Sequence, residues 1–227
     1  MGIDIRIKAD THRLNRGGFS PLSIDKDLRL WLRPDVGVTT VSGKISLWAD
    51  QSGNSNDFYQ NTADNRPTWT ADELNGYGAA VPDNTNDFLT CDATVWARNC
   101  FLAVKRGDYA YGIAANDNYW LTIDQSASSI KGTSQLNFSF AAAYDNYMIE
   151  EIWCDTDNSD TYIWRNDTAS TSNPLGASWV GFDQLFRRAT TYYGSAKIVE
   201  VVAYYESLSS SERDQVRDYL NDKYSIY

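Results

Sequence analysis

The chain has 227 residues, 14% of them aromatic, including 8 Trp and 15 Tyr, and carries a net charge of −10 at pH 7 with a pI near 4.5. That balance excludes a nucleic-acid surface, which needs clustered Lys and Arg, and the aromatic content favours strands over helices. No apolar run approaches the length needed to span a bilayer, so no membrane insertion is expected.

A length of this order suits one large all-β domain. Residues 2 to 8 alternate, with Ile3, Ile5 and Ile7 on one face and Asp4, Arg6 and Lys8 on the other, which predicts a short strand. Arg13, Arg16 and the Gly17-Gly18 pair follow. Residues 1 to 20 hold four basic and two acidic side chains, a net of +2 that leaves −12 for the remainder. This stretch therefore reads as an N-terminal arm ahead of a domain over residues 21–227. Ile3, Ile5, Arg6, Ile7, Lys8, Arg13 and Arg16 are its anchoring candidates, suited to an acidic neighbour and to a partner's sheet edge; pairing within its own domain is the other reading. The opening residues hold no signal-peptide apolar block, so folding in a cytoplasm is expected.

The body begins at Leu28-Arg29-Leu30-Trp31-Leu32, whose three leucines share a face. Strand-like segments recur at 44 to 48, 94 to 104, 109 to 114, 119 to 124, 136 to 140, 147 to 154, 161 to 165 and 196 to 205, each bounded by turn-forming residues. Many short strands at this spacing predict a sandwich of jelly-roll or Greek-key order. After Trp48, a predicted core anchor, Asp50 to Asn54 reads as a shaped turn with Gly53 suited to positive φ. Residues 155 to 160 read as a hairpin loop and Asn166-Asp167 as the next turn. Near the C-terminus, Ser209 and Glu212 form a capping box, and Val216, Tyr219, Leu220 and Tyr224 follow at helical spacing as a buried stripe. Cys91, Cys100 and Cys154 are an odd number without metal-site spacing and read as buried reduced thiols.

The runs Leu30-Trp31-Leu32-Arg33-Pro34-Asp35, Val41-Ser42-Gly43-Lys44 through Trp48-Ala49-Asp50-Gln51-Ser52-Gly53-Asn54, Arg66-Pro67-Thr68 and Asn86-Asp87-Phe88-Leu89 resemble the N-terminal half of LamG-like, concanavalin A-like lectin/glucanase domains. Residues 198 to 209 and 219 to 224 are similar to the closing strand and helix of that group. The resemblance implies an all-β, concanavalin A-like jelly-roll sandwich with one C-terminal helix. It departs at Pro82-Asp83-Asn84, where an aromatic followed by Asp-Gly is usual; Asn84 can still take a left-handed turn position. The resemblance is to a fold that serves lectins, glycanases, adhesion modules and virion parts alike.

Four sets of candidate residues follow. Trp48, Asp50, Ser52, Asn54 and Asp87 are expected to hold loops together. Tyr109, Tyr111, Asn116, Tyr119, Trp120 and Tyr144 combine aromatics with hydroxyl partners, as glycan contacts require. Asp155, Asp157 and Asp160 gather oxygen ligands that calcium would take, although their spacing fails the EF-hand template and a solvated hairpin tip is the plainer reading. Glu150 and Glu151 are adjacent and must face opposite ways on a strand, Glu200 is a lone carboxylate in the last strand, and His12 lies in the arm, so no catalytic constellation is expected.

Export, charge and resemblance together give the functional expectation. It is a non-enzymatic accessory phage virion protein, of the head decoration or tail, whose arm docks on capsid or tail subunits. It would be oligomeric in the particle and touch host-surface glycans. The alternative is a carbohydrate-binding module of a secreted or cell-surface bacterial protein.

Overall fold

The computed structural model describes residues 18–107, 114–115, 120–123, 127–131, 135–139, 146–155, 160–169, 179–188 and 192–227. Among these residues the strands are β1 (Leu28–Leu32), β2 (Val38–Val41), β3 (Lys44–Trp48), β4 (Phe58–Tyr59), β5 (Thr68–Leu74), β6 (Tyr77–Val81), β7 (Leu89–Ala97), β8 (Asn99–Lys105), β9 (Ala114–Ala115) and β10 (Trp120–Ile123). The chain continues through β11 (Ala127–Lys131), β12 (Gln135–Ser139), β13 (Tyr147–Cys154), β14 (Thr161–Arg165), β15 (Thr168–Ala169), β16 (Val180–Leu185), β17 (Arg187–Arg188), β18 (Tyr192–Tyr193) and β19 (Lys197–Tyr204) to the helix α1 (Ser210–Tyr224).

Among the described residues all pairings are antiparallel, and apart from the separate β17–β18 pair they sort into two layers. In the back layer β1, β19, β8, β13, β14 and β15 pair in that order. In the front layer the order is β2, β3, β4, β7, β16, β9, β10, β11 and β12. The β5–β6 hairpin joins the layers, touching β3 through Thr68 and β19 through Ala80. This is the all-β jelly-roll sandwich expected, with its single C-terminal helix.

Strand alternation explains why the back layer is covered on both faces. From β19, Ile198, Val201 and Ala203 enter the sandwich core, whereas Val199, Val202 and Tyr204 enter a second core beneath the helix. From β8, Cys100, Leu102 and Val104 face the sandwich and Phe101 faces the helix side. A strand buried on both faces reads as a continuous apolar run, which is why 196 to 205 stood out in the sequence.

The predicted segment 94 to 104 is two strands. Arg98 separates β7 from β8: its N–H donates to Tyr204 O at 2.9 Å and its carbonyl accepts from Cys154 N at 2.8 Å. There the chain leaves the front layer for the back one, because Trp96 and Val95 pair with β16 while Cys100 and Phe101 pair with β13 and β19. The sequence reading also passed over β2, β4, β5, β6, β11, β15, β16, β17 and β18. The turns that close the β2–β3 and β5–β6 hairpins carry left-handed residue pairs, Ser42 (φ 53°) with Gly43 and Asn75 (φ 48°) with Gly76. Asn84 has φ 63°, as the turn reading of that departure required.

The capping box is present, with Ser209 Oγ accepting from Glu212 N at 3.3 Å and Glu212 Oε2 accepting from Ser209 N at 2.7 Å. Val216, Leu220 and Tyr224 are buried, and Tyr219 is half-buried against Phe19 and Trp31. Two arginines, Arg213 and Arg217, share the buried face. Cys91, Cys100 and Cys154 are free and buried.

Candidate functional site

The stretch after Trp48 is a hydrogen-bonded staple. Asp50 Oδ1 accepts from Trp31 N at 2.9 Å and Ser52 N at 2.8 Å, and Oδ2 accepts from Ser52 Oγ at 2.6 Å and Asn56 N at 3.1 Å. Asn54 Nδ2 donates to Leu28 O at 2.6 Å and Asn56 Nδ2 to Arg29 O at 2.8 Å, so the loop is laced to β1. Trp48 is fully buried, donates Nε1–H to Arg33 O at 2.8 Å and meets Trp69 edge-on at 5.9 Å. Asp87 belongs to a separate loop: it accepts from Asp83 N at 3.0 Å and lies 3.9 Å from Lys44 Nζ. Burial, and then the charge of Asp83, push its pKa up to about 6.

The carboxylates weighed as catalysts are all buried and each has side-chain partners. Glu150 faces the sandwich interior and pairs with Arg165 Nε at 2.9 Å, both side chains fully buried. Glu151 faces the helix, accepting from Arg213 Nη1 at 3.3 Å and from Arg217 Nη1. Burial raises its pKa against the opposing pull of Arg217 and Arg213. Glu200 accepts from Trp31 Nε1 at 2.6 Å, Tyr219 OH at 2.9 Å, Lys223 Nζ at 2.7 Å and Tyr224 OH. Two sheet carboxylates thus clamp the helix, one near each end. The sequence signal was an i, i+4 pair of arginines on the apolar face of the helix, passed over because such a stripe is ordinarily read for its apolar members.

Of the glycan candidates, Tyr109, Tyr111, Asn116, Tyr119 and Tyr144 lie outside the described residues, and Trp120 is described only as the first residue of β10. Asp157 is likewise outside them. Asp155 N donates to Asp160 O at 2.8 Å, closing the hairpin end. Among the described residues no group of three or more His, Cys, Asp or Glu is placed to hold a metal ion.

A cleft of about 210 Å³ opens on the outer face of the front layer. Its origin is a bulge: Phe182 pairs with Val95 and Gln184 with Thr90, so four residues of β7, Cys91 to Thr94, oppose the single residue Asp183. The bulge swings Asp92 and Ala93 outward beside β4. Tyr59 pairs with Thr90 and so points the same way, and its hydroxyl donates to Asp92 Oδ1 at 2.5 Å. Ser55, Asn56 and Asp57 form the third wall, with Asp57 held by Asp50 N at 2.8 Å. Leu47 and Cys91 complete the lining. The cleft therefore rests on the staple: the same Asp50 network that ties the loop to β1 fixes its acidic wall. Sequence reasoning missed it because Tyr59 and Asp92 lie far apart in the chain and meet only through the β4–β7 ladder.

Comparisons with protein-family models and with curated proteins give no match. Solved structures do match. Domain 4 of AbnA, a GH43 extracellular arabinanase from Geobacillus stearothermophilus in complex with arabinotriose, has a TM-score of 0.53 at 13% identity over 85% of this chain and 98% of that one. An arabinofuranosidase complexed with arabinofuranosyl-α-1,2-xylobiose gives 0.53 at 12% identity over 89% of this chain. Trypanosoma rangeli sialidase in complex with the inhibitor DANA gives 0.50 at 8% identity over 83% of this chain. The likeness is one of fold. The chain spans nearly all of the AbnA domain but 60% of the arabinofuranosidase and 32% of the sialidase.

Proposed function

We propose that this chain is a non-catalytic glycan-binding module whose ligand sits in the cleft between β4 and the bulge of β7. The observation that carries the reading is the cleft itself, where an aromatic ring, Tyr59, stands beside two carboxylates, an amide and a hydroxyl. A sugar offers an apolar ring face with hydroxyls at its rim, and this lining meets both. The shared sandwich fold supports the reading in general terms, since AbnA domain 4 was solved with arabinotriose. The commitment of Glu150, Glu151 and Glu200 to buried partners supports a binding rather than a hydrolytic role. The test is a glycan array followed by calorimetry on the full chain and on Tyr59→Ala. Binding that Tyr59→Ala abolishes is expected; an array without a single bound glycan contradicts the proposal, as does release of reducing ends from a bound glycan.

The virion setting is a second reading, favoured by one sequence observation, the +2 arm ahead of the −12 body. Deleting residues 1 to 20 tests it: incorporation into particles should fail, and a truncated chain that still joins the particle refutes arm anchoring.

A further inference from the structure

Building on the glycan reading of the cleft, we infer that the site continues along β7 to Trp96 and takes an extended, uncharged sugar chain rather than a single or acidic sugar. The alternation of β7 places Leu89, Cys91, Val95 and Ala97 in the sandwich core, which leaves Thr90, Asp92, Thr94 and Trp96 on the outer face with Tyr59. Trp96 is 40% exposed, the least buried of the tryptophans whose side chains are described. It sits directly across the ladder from Gly181, and a Cβ at that glycine would come within 2.6 Å of the indole's six-membered ring. The ring therefore rests on bare backbone, and only glycine leaves room for it there.

The two aromatics stand at the ends of one polar row. Tyr59 stands beside Thr90, which faces Gln184, and Trp96 faces Gly181, so the two ends are three residues apart along β16, about 10 Å. That is a longer reach than one sugar ring. Between them lie Thr94, whose hydroxyl donates to Asp183 at 3.4 Å, and Asp92, whose exposed carboxyl offers an acceptor for hydroxyl hydrogens. Asp57 and Asp92 bring two carboxyl groups to the cleft, and none of the described residues lining it is cationic. A uronate or sialate would bring its carboxylate against these groups with no counter-charge, whereas a neutral chain meets only acceptors.

Calorimetric titration of the full chain with a neutral pentose or hexose oligosaccharide ladder, from one to six units, and with oligogalacturonate and sialyllactose, tests the inference. Affinity should rise about tenfold or more from the shortest bound oligomer to the length that reaches Trp96 and then level off, and the acidic ligands should bind at least about tenfold more weakly. Trp96→Gln, an exposed position whose folding is checked by its thermal midpoint, should erase the gain with length and leave the shortest bound oligomer unchanged. If no glycan binds at all, the cleft reading itself falls. If neutral glycans bind without a gain in length, if acidic ones match them, or if Trp96→Gln leaves the length dependence intact, the extension to Trp96 is wrong while the cleft reading stands. The length series on the unaltered protein decides the matter without any variant.

Discussion

Replacing Glu151 with Gln should destabilise the protein far more than a surface substitution does. The side chain is fully buried and accepts from Arg213 and Arg217, themselves almost buried, so the amide would leave two guanidinium groups facing one another without their shared counter-charge. Removing one partner from a buried ion cluster costs about 3–5 kcal/mol, because the orphaned charge remains desolvated. Arg217 retains Asp214 and both arginines lie over indole rings, Arg213 at 3.8 Å from Trp153 and Arg217 at 4.6 Å from Trp164, which places the expectation at the lower end, about 3 kcal/mol. For a chain of this length that is a fall in Tm of roughly 6–12 °C. Urea unfolding at neutral pH with the m-value unchanged is the assay. The triple variant Glu151→Leu, Arg213→Leu, Arg217→Met should recover most of the loss, since apolar replacement of a whole buried cluster is often neutral. A Glu151→Gln protein within about 0.5 kcal/mol of the parent would refute the clamp.

Asp50→Ala removes the acceptor for three backbone N–H groups and one hydroxyl, and should cost about 2–4 kcal/mol by urea unfolding while also loosening the cleft wall at Asp57. Trp48→Ala should cost about 3–5 kcal/mol, and a variant that stayed fully stable would contradict its place in the core. Asp87 is an acid whose folded pKa, about 6, lies above its unfolded value near 3.8, so the folded state binds more protons between those values and stability falls as pH rises through that window. Asp87→Asn should therefore match the parent below pH 4 and exceed it by up to about 2 kcal/mol above pH 6.5. A difference that does not change with pH would overturn that assignment.

What the sequence made legible followed from local rules. The capping box and the apolar positions of α1 are set within one helix, and the central strands of the back layer, β8, β13 and β19, announce themselves because burial on both faces leaves them mostly apolar. The Asp50 loop was readable because its side chains bond within a few residues and back to the neighbouring strand. The front layer was harder: β2 is largely exposed and β5 breaks its register between Thr70 and Leu74, so neither alternates cleanly. The cleft was not legible at all. It depends on a bulge whose existence is fixed by the pairing of β7 with β16, nearly ninety residues away, and the tyrosines put forward from sequence as glycan contacts lie outside the described residues. Arg213 and Arg217 show the same limit, since their partner Glu151 is brought to them only by the packing of α1 on β13.

The central claim is that the outer face of β4 and β7 binds sugar. Amide chemical-shift mapping of the full chain, titrated with a neutral oligosaccharide, tests it most directly. Shifts clustered at residues 55 to 59 and 91 to 96 are predicted. Saturable shifts confined to another face, or none at millimolar ligand, would contradict it.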